Sequence, residues 1–387
     1  MVPAATLSDR PALCGTVTKV LCAALVFSLG LALLRPAVAI AQEGPIPVAL
    51  VGALSGPFEL VGQSLTDGAE AALARINQSG GVLGRPLRLI TADDHCKPDS
   101  AEQVARDLVA QGVAVVIGHL CSGASIAASE IYAEAGIVQI SPASTAPAYT
   151  ERGLPTVFRV IGRDDMQGFV LADHIERTYR AGSVGLLHDS SFYSQGLAES
   201  FVQAAATLGL PAPKRWTLED DSLAFDPVIA ALRDEQISVL VFPGYGHQVV
   251  ALLQALQVWG HDLKIIGSDT LMNSDFISAA GMLADGVELS FPPDPSHDLR
   301  NQALTEALQQ EGRQIDAFTF YTFGALEVWA KAVDQAGSLD SARVAQALKV
   351  GAFDSVLGRI SFDDKGDIEQ TGFVMYHFID GDVDYYQ

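Results

Sequence analysis

Residues 115–145, VVIGHLCSGASIAASEIYAEAGIVQISPAST, read as strand, polar turn, helix, strand and second polar turn. Both turns fall at the carboxyl ends of neighbouring parallel strands, the edge at which open α/β sheets bind ligands. There they offer Ser122, Ser141, Ser144 and Thr145, with free backbone N–H groups near a helix start. The stretch therefore reads as one wall of a binding cleft.

Working outward, 48–54 is a continuous apolar run, as expected of a strand covered on both faces. Ser55-Gly56-Pro57 breaks it, and Leu65, Ala69, Leu73 and Ile76 then recur at helical spacing until Gly80-Gly81. Residues 88–91 form a second short strand. Asp99-x-x-Glu102 resembles a capping box opening a helix with Ala101, Val104, Ala105, Leu108 and Val109 on its inner face. Gly112 ends it, and 113–117 is the strand entering the opening stretch. The order β-α-β-α-β-α-β with short connections predicts a doubly wound parallel sheet. The rhythm restarts at 184–187 (strand), 197–208 (helix), 239–242 (strand), 248–258 (helix) and 264–266 (strand), so the fold class is α/β with two similar halves. Residues 158–165 (FRVIGRDD) read as extended, with no helix of their own, and mark a first crossing. The proline-rich 291–295 (FPPDP) marks a second. Helical patterns follow at 299–311, 317–335 and 341–348, then strand-like pieces at 359–362 and 373–378.

Residues 1–41 read as a secretory leader rather than part of the fold. Arg10 and Lys19 precede the apolar run 20–34, and Ala39-Ile40-Ala41 is a small-x-small cleavage pattern that would leave Gln42 as the new N-terminus. The competing reading, a membrane anchor, needs roughly 20 apolar residues, more than this run offers. Cleavage after Ala41 takes Arg10, Lys19, Arg35 and Asp9 from 24 basic and 46 acidic residues, leaving 21 and 45 and a net charge of −24. Such a surface disfavours nucleic acid and anionic membrane. The remaining length exceeds what one core usually holds and predicts two domains. Of four cysteines, Cys14 and Cys22 leave with the leader. In an oxidising compartment Cys96 and Cys121 read as one structural disulfide, worth about 3 kcal/mol in the chain-entropy picture. Their spacing is not C-x-x-C, which argues against a redox pair.

The second half delivers its own polar loops: 189–196 (DSSFYSQG), 243–247 (PGYGH) and Gly267-Ser268-Asp269. Facing the first wall, Tyr193, Tyr245 and Asp269 would oppose its hydroxyl and N–H donors. A donor-rich wall suits a carboxylate, and an Asp with aromatic neighbours suits an ammonium, which together describe an α-amino acid. Each residue also has a plainer reading: Ser122, Ser144, Thr145 and Asp269 as helix caps, and the two tyrosines as packing. No G-x-G-x-x-G, G-x-S-x-G, P-loop or H-E-x-x-H occurs, and no ligand cluster suggests a metal or cofactor. The one enzyme reading uses Cys121 as a thiol nucleophile with His119 as its base, and it requires Cys121 to be reduced.

The blocks VALVGALSGP (48–57), DDHCKP (93–98), VIGHLCSGAS (116–125), ISPASTAP (140–147), HDSSFYSQG (188–196), DAFTFYTFGAL (316–326) and FDDKGD (362–367) resemble the branched-chain amino acid binding proteins of ABC importers. These are periplasmic binding proteins of type I. The resemblance implies two Rossmann-like lobes joined by three hinge crossings, here 42–160 plus 292–358 and 161–291 plus 359–387, with the ligand between them. It places the ligand carboxylate on Ser122 and Thr145 and the ammonium on the Ala143 carbonyl and Asp269. Tyr193 and Tyr245 would close from the second lobe, with Ser144 at the cleft wall and Leu120, Cys121 and Phe318 shaping the side-chain pocket. It also implies a periplasmic monomer, soluble once its leader is removed, that needs no cofactor and delivers to a membrane permease. Two positions depart from the family: Asp269 stands where Glu is common, and no aromatic residue stands near Val61, which predicts a more open pocket. Leucine, isoleucine and valine are the expected ligands. Larger apolar or aromatic amino acids come next, then an amide or urea ligand, with a sensor role as the alternative.

Overall fold

In the computed structural model the chain divides into residues 1–43 and 44–387. The structure describes Met1 and residues 44–180, 182–219, 223–260, 263–369 and 372–385. The expected leader and its cleavage site after Ala41 thus lie outside the described residues.

Two separate sheets organise residues 44–387. The first contains β1 (Ile46–Gly52), β2 (Leu87–Asp93), β3 (Val115–Gly118), β4 (Val138–Ser141) and β5 (Val157–Arg159), all parallel in the order β2-β1-β3-β4-β5. Alternation along β1 explains its continuous apolar run. Ile46, Val48 and Leu50 enter one core layer with the helices Glu59–Gln78 and Ala317–Ala336, while Ala49 and Val51 enter another with Pro98–Ala110 and Ser122–Glu134. Successive side chains point to opposite faces, so a strand covered on both faces must be apolar throughout. Gly68 lets the first two helices touch closely, since a Cβ there would lie 2.2 Å from the Thr319 carbonyl oxygen.

The second sheet is built on β6 (Val184–His188), β7 (Lys214–Thr217), β8 (Val239–Val241), β9 (Lys264–Gly267) and β10 (Glu288–Phe291). After them come β11 (Ala352–Ser355) and β12 (Gly358–Ser361), a separate hairpin, and then β13 (Val374–Ile379) and β14 (Asp382–Tyr385). Its order is β14-β13-β10-β9-β8-β6-β7, with β13 antiparallel to β10 and β14 antiparallel to β13. The result is an α/β fold of two doubly wound lobes, crossed by the chain after β5, after β10 and before β13.

Three expectations change. The helix Pro98–Ala110 is not opened by a capping box: Lys97 is its N-cap without a side-chain bond, Pro98 occupies the first turn, and Asp99 follows within it. The extended reading of 158–165 ends at Arg163, because Asp164 begins the helix Asp164–Thr178. Residues 359–368 stay with the first lobe rather than the second. The Phe362 ring packs at 5.2 Å on Phe158, and the Arg159 N–H donates to the Gly366 carbonyl at 3.0 Å, so the third crossing falls between 368 and 374.

Candidate functional site

The carboxyl ends of β3 and β4 build the first wall. The Ser141 hydroxyl, ending β4, accepts from the N–H groups of Ala143 (3.2 Å) and Ser144 (2.8 Å) and donates to the His119 carbonyl (2.9 Å). One hydroxyl thereby fixes both turns. Cys121, not Ser122, is the N-cap of Ser122–Glu134, and it makes no side-chain cap bond. The Ser122 hydroxyl instead accepts from the Ala146 N–H at 3.3 Å, which removes the capping reading. Ser144 is turned inward, its hydroxyl 2.7 Å from that of Ser125, and does not line the cavity. Thr145 is fully buried, and its hydroxyl has no hydrogen-bond partner among the described residues.

Opposite, Asp269 follows β9 and opens the short 3-10 turn Asp269–Leu271, with Ser268 as its N-cap. Its Oδ1 accepts from the Tyr193 hydroxyl (2.6 Å) and from the Gln167 amide (2.9 Å), and the same tyrosine oxygen lies 2.8 Å from the Ser268 hydroxyl. The Tyr245 ring lies 5.6 Å from Tyr193 and 5.0 Å from Phe58 of the first lobe, so aromatic rings from both lobes meet. Between the walls is a cavity of about 210 Å³. Its lining is largely apolar (Pro57, Phe58, Val61, Leu120, Val250, Phe276, Ala279, Phe318), interrupted by Ser122, Asp269, Thr270, Asn273 and Asp275.

Of the residues singled out in the sequence, Leu120, Cys121, Ser122, Ala143, Tyr193, Tyr245, Asp269 and Phe318 line this cavity; Ser144 and Thr145 are buried beside it. The expectation that no aromatic residue stands near Val61 does not hold: Phe58, three residues earlier at the N-cap of the same helix, lines the same cavity and supplies a ring. Phe58, Gln167 and Asp164 were missed. Asp164 and Gln167 start a helix whose sequence, DDMQGFVLADHIERT, shows no clean apolar stripe.

Charge in the site is distributed unevenly. Burial raises the Asp269 carboxyl above its ordinary range, and the bonds from Tyr193 and Gln167 offset this only in part. No described Lys, Arg or His pairs with it. Asp164 is pushed up to about 8, first by burial and then by the Asp269 charge. The Thr145 hydroxyl and Arg159 pull it down less, and that hydroxyl falls outside hydrogen-bond geometry with it. The thiol-enzyme reading does not fit. Cys121 is bonded to Cys96 with Cα atoms 5.4 Å apart, and the buried His119 ring faces Asp94 (2.5 Å) and Tyr132 (3.3 Å). Among the described residues no cluster of three or more His, Cys, Asp or Glu is placed to hold a metal. Nor is any described helix long and apolar enough to cross a membrane.

Two doubly wound lobes, three crossings and a cavity between facing strand ends define a two-lobed solute-binding fold. A model of the family described as "Periplasmic binding protein" matches residues 45–378, and the chain belongs to that family. It is 35% identical over 338 residues to the Leu/Ile/Val-binding protein homolog 1 of Brucella abortus, covering 86% of this chain and 91% of that protein. It is 32% identical over 334 residues to the leucine-, isoleucine-, valine-, threonine- and alanine-binding protein of Pseudomonas aeruginosa, covering 86% and 90%. A solved leucine binding protein, LivK, of Thermotoga maritima superposes with a TM-score of 0.81 at 22% identity, over 88% of this chain and 98% of that one.

Proposed function

We propose that this protein is an exported receptor that captures one free amino acid between its lobes and presents the closed form to the membrane permease of an ABC importer. It acts as a monomer, is delivered to the periplasm by the leader at 1–41, and performs no chemistry on its ligand. The lobes are 44–160 plus 292–368 and 161–291 plus 374–387.

The observation that carries this reading is Asp269, a buried carboxylate that lines a largely apolar cavity and has no described cationic partner. A carboxylate in that position is stabilised by an incoming ammonium more than by water it has already lost. Asp269 and the Ala143 carbonyl take the ammonium, while Ser122 and Thr145 take the carboxylate; the unpartnered Thr145 hydroxyl supports the latter role. Tyr193 and Tyr245 close from the second lobe. Leu120, Cys121, Val61, Phe58 and Phe318 surround the side chain, for which leucine, isoleucine and valine come first, in keeping with the named ligands of the relatives. Phenylalanine and other large apolar side chains come next. The ligand touches both lobes, and only such differential contact can shift an open–closed equilibrium.

The test is calorimetric titration of wild type and Asp269→Ala with L-leucine. Removing the charged partner is expected to weaken binding by about 2–5 kcal/mol. Unchanged leucine affinity in the variant contradicts the assignment of the ammonium to Asp269.

A further inference from the structure

Behind Asp269 sits a second carboxylate that the reading above leaves unused. Asp164 is fully buried, and neither of its carboxyl oxygens has a hydrogen-bond partner among the described residues. It stands where the two lobes meet. Its N–H donates to the Thr145 carbonyl of the first wall at 3.0 Å, and its Oδ2 lies 3.9 Å from where a Cβ on Gly196 of the second lobe would be. One helical turn on, at i+3, the Gln167 amide reaches Asp269 at 2.9 Å, so one helix end connects both acids. Two further buried polar atoms in the same cluster, Thr145 Oγ1 and Gln167 Oε1, are also without partners. The two Asp164 oxygens and Gln167 Oε1 are acceptors without a donor, and the Thr145 hydroxyl has only one hydrogen to give, so this buried cluster is short of donors, and an ammonium brings three.

We propose that Asp164 is the second carboxylate of the ammonium subsite, and that the Asp164–Asp269 pair holds one proton which leaves when an ammonium group enters. The inference rests on the amino-acid reading above. In the ligand-free site one acid is protonated and the other ionised, a net charge of −1. An ammonium enters, one O–H bond breaks, and the proton passes to bulk water, leaving two carboxylates, one ammonium and again a net charge of −1. The charge of the site is conserved by exchanging one cation for another.

The groups facing Asp164 are consistent with a shared proton. Asp269 and the hydroxyls of Tyr193 and Tyr245 come from the second lobe, the Arg159 guanidinium from β5, and Asp165 from its own helix. Arg159 is engaged elsewhere, bonding Asp367 (2.6 Å) and the carbonyls of Ser144 (2.8 Å) and Ala146 (2.9 Å). With the Asp164 carboxyl held up to about 8, the pair carries its proton at neutral pH.

The experiment is calorimetry of the mature protein with L-leucine, near pH 6, in two buffers of different ionisation enthalpy, repeated across pH and with Asp164→Asn. Leucine keeps its ammonium throughout the range. The expected result is about one proton released per leucine bound, with Kd falling about tenfold per pH unit up to about pH 8. In Asp164→Asn, which keeps the shape and cannot ionise, leucine binding should release no proton and its Kd should be flat over the same window. Leucine binding to wild type with no proton exchanged overturns the inference, and so does an equal pH slope in the variant. The wild-type buffer comparison stands whether or not the variant folds. A parallel melting-shift panel of the twenty amino acids separates the two failures. If none binds, the amino-acid reading falls and the inference with it; if one binds without proton release, only the inference falls.

Discussion

Asp164 begins a helix, where aligned peptide dipoles favour a negative charge by about 0.3–1 kcal/mol. Keeping that carboxylate ionised, buried and unpaired costs several kcal/mol, so burial wins and the acid stays protonated. The sign of the consequence is definite. A carboxyl raised from 3.8 to about 8 contributes stability that is present below the unfolded value and is lost as pH rises through the folded one. Chemical denaturation of the ligand-free protein should therefore show stability falling between about pH 4 and pH 8 more steeply in wild type than in Asp164→Asn. Asp269 and Asp316 are raised in the same sense, so the difference between the two proteins is the diagnostic quantity; coincident profiles contradict the assignment. At this scale the sequence was readable where a polar residue ends or closely follows an apolar strand, as Ser141 does at the end of β4 and Asp269 does two residues after β9. It was not readable at Asp164, whose partner lies 105 positions away in Asp269, nor at Phe58, whose ring acquires its role only from the facing Tyr245 and His247.

Among the elements, the first crossing is tied into a buried polar network. Arg159 closes β5 with no solvent exposure, and Asp367, just before the third crossing, bonds both it and Arg163 of the first crossing (2.7 Å). Since Arg159 also holds the Ser144 and Ala146 carbonyls, this network supports the wall that carries Thr145. Asp367→Ala leaves a buried guanidinium uncompensated, and urea denaturation should register a loss of about 3–5 kcal/mol. Lys365→Ala, which breaks the nearby exposed pair with Glu151 (2.6 Å), should lose no more than about 1 kcal/mol. Equal effects would mean that the Asp367 network behaves as a solvated one. The strands buried on both faces were plain in the sequence because burial on both faces demands unbroken apolar runs. β7, KRWT, was not, since an edge strand with half-open faces needs no such run; nor was β5, only three residues long. The third crossing falls later than expected because hairpin β11–β12 reads locally like any strand pair, while its allegiance is set by β11 packing on Ala317–Ala336 and by Phe362, just beyond the hairpin, packing on Phe158.

For the whole molecule, the repeated strand–helix rhythm was enough to foresee two doubly wound lobes with strand ends facing one another. What rhythm does not encode is which loop residues meet across the gap. The cavity joins a hydroxyl-bearing wall to a carboxylate-bearing wall, and the account stands on a ligand that carries both complementary charges on one carbon. The most direct test compares L-leucine with two analogues, 3-methylbutylamine, which lacks the carboxylate, and 4-methylpentanoate, which lacks the ammonium, by calorimetric titration of the wild-type protein. The account predicts that leucine binds and that each analogue is weakened by at least about 2 kcal/mol, since each leaves one buried wall unpaired. If 4-methylpentanoate bound as tightly as leucine, the Asp269 wall would not be an ammonium site and the account would be contradicted.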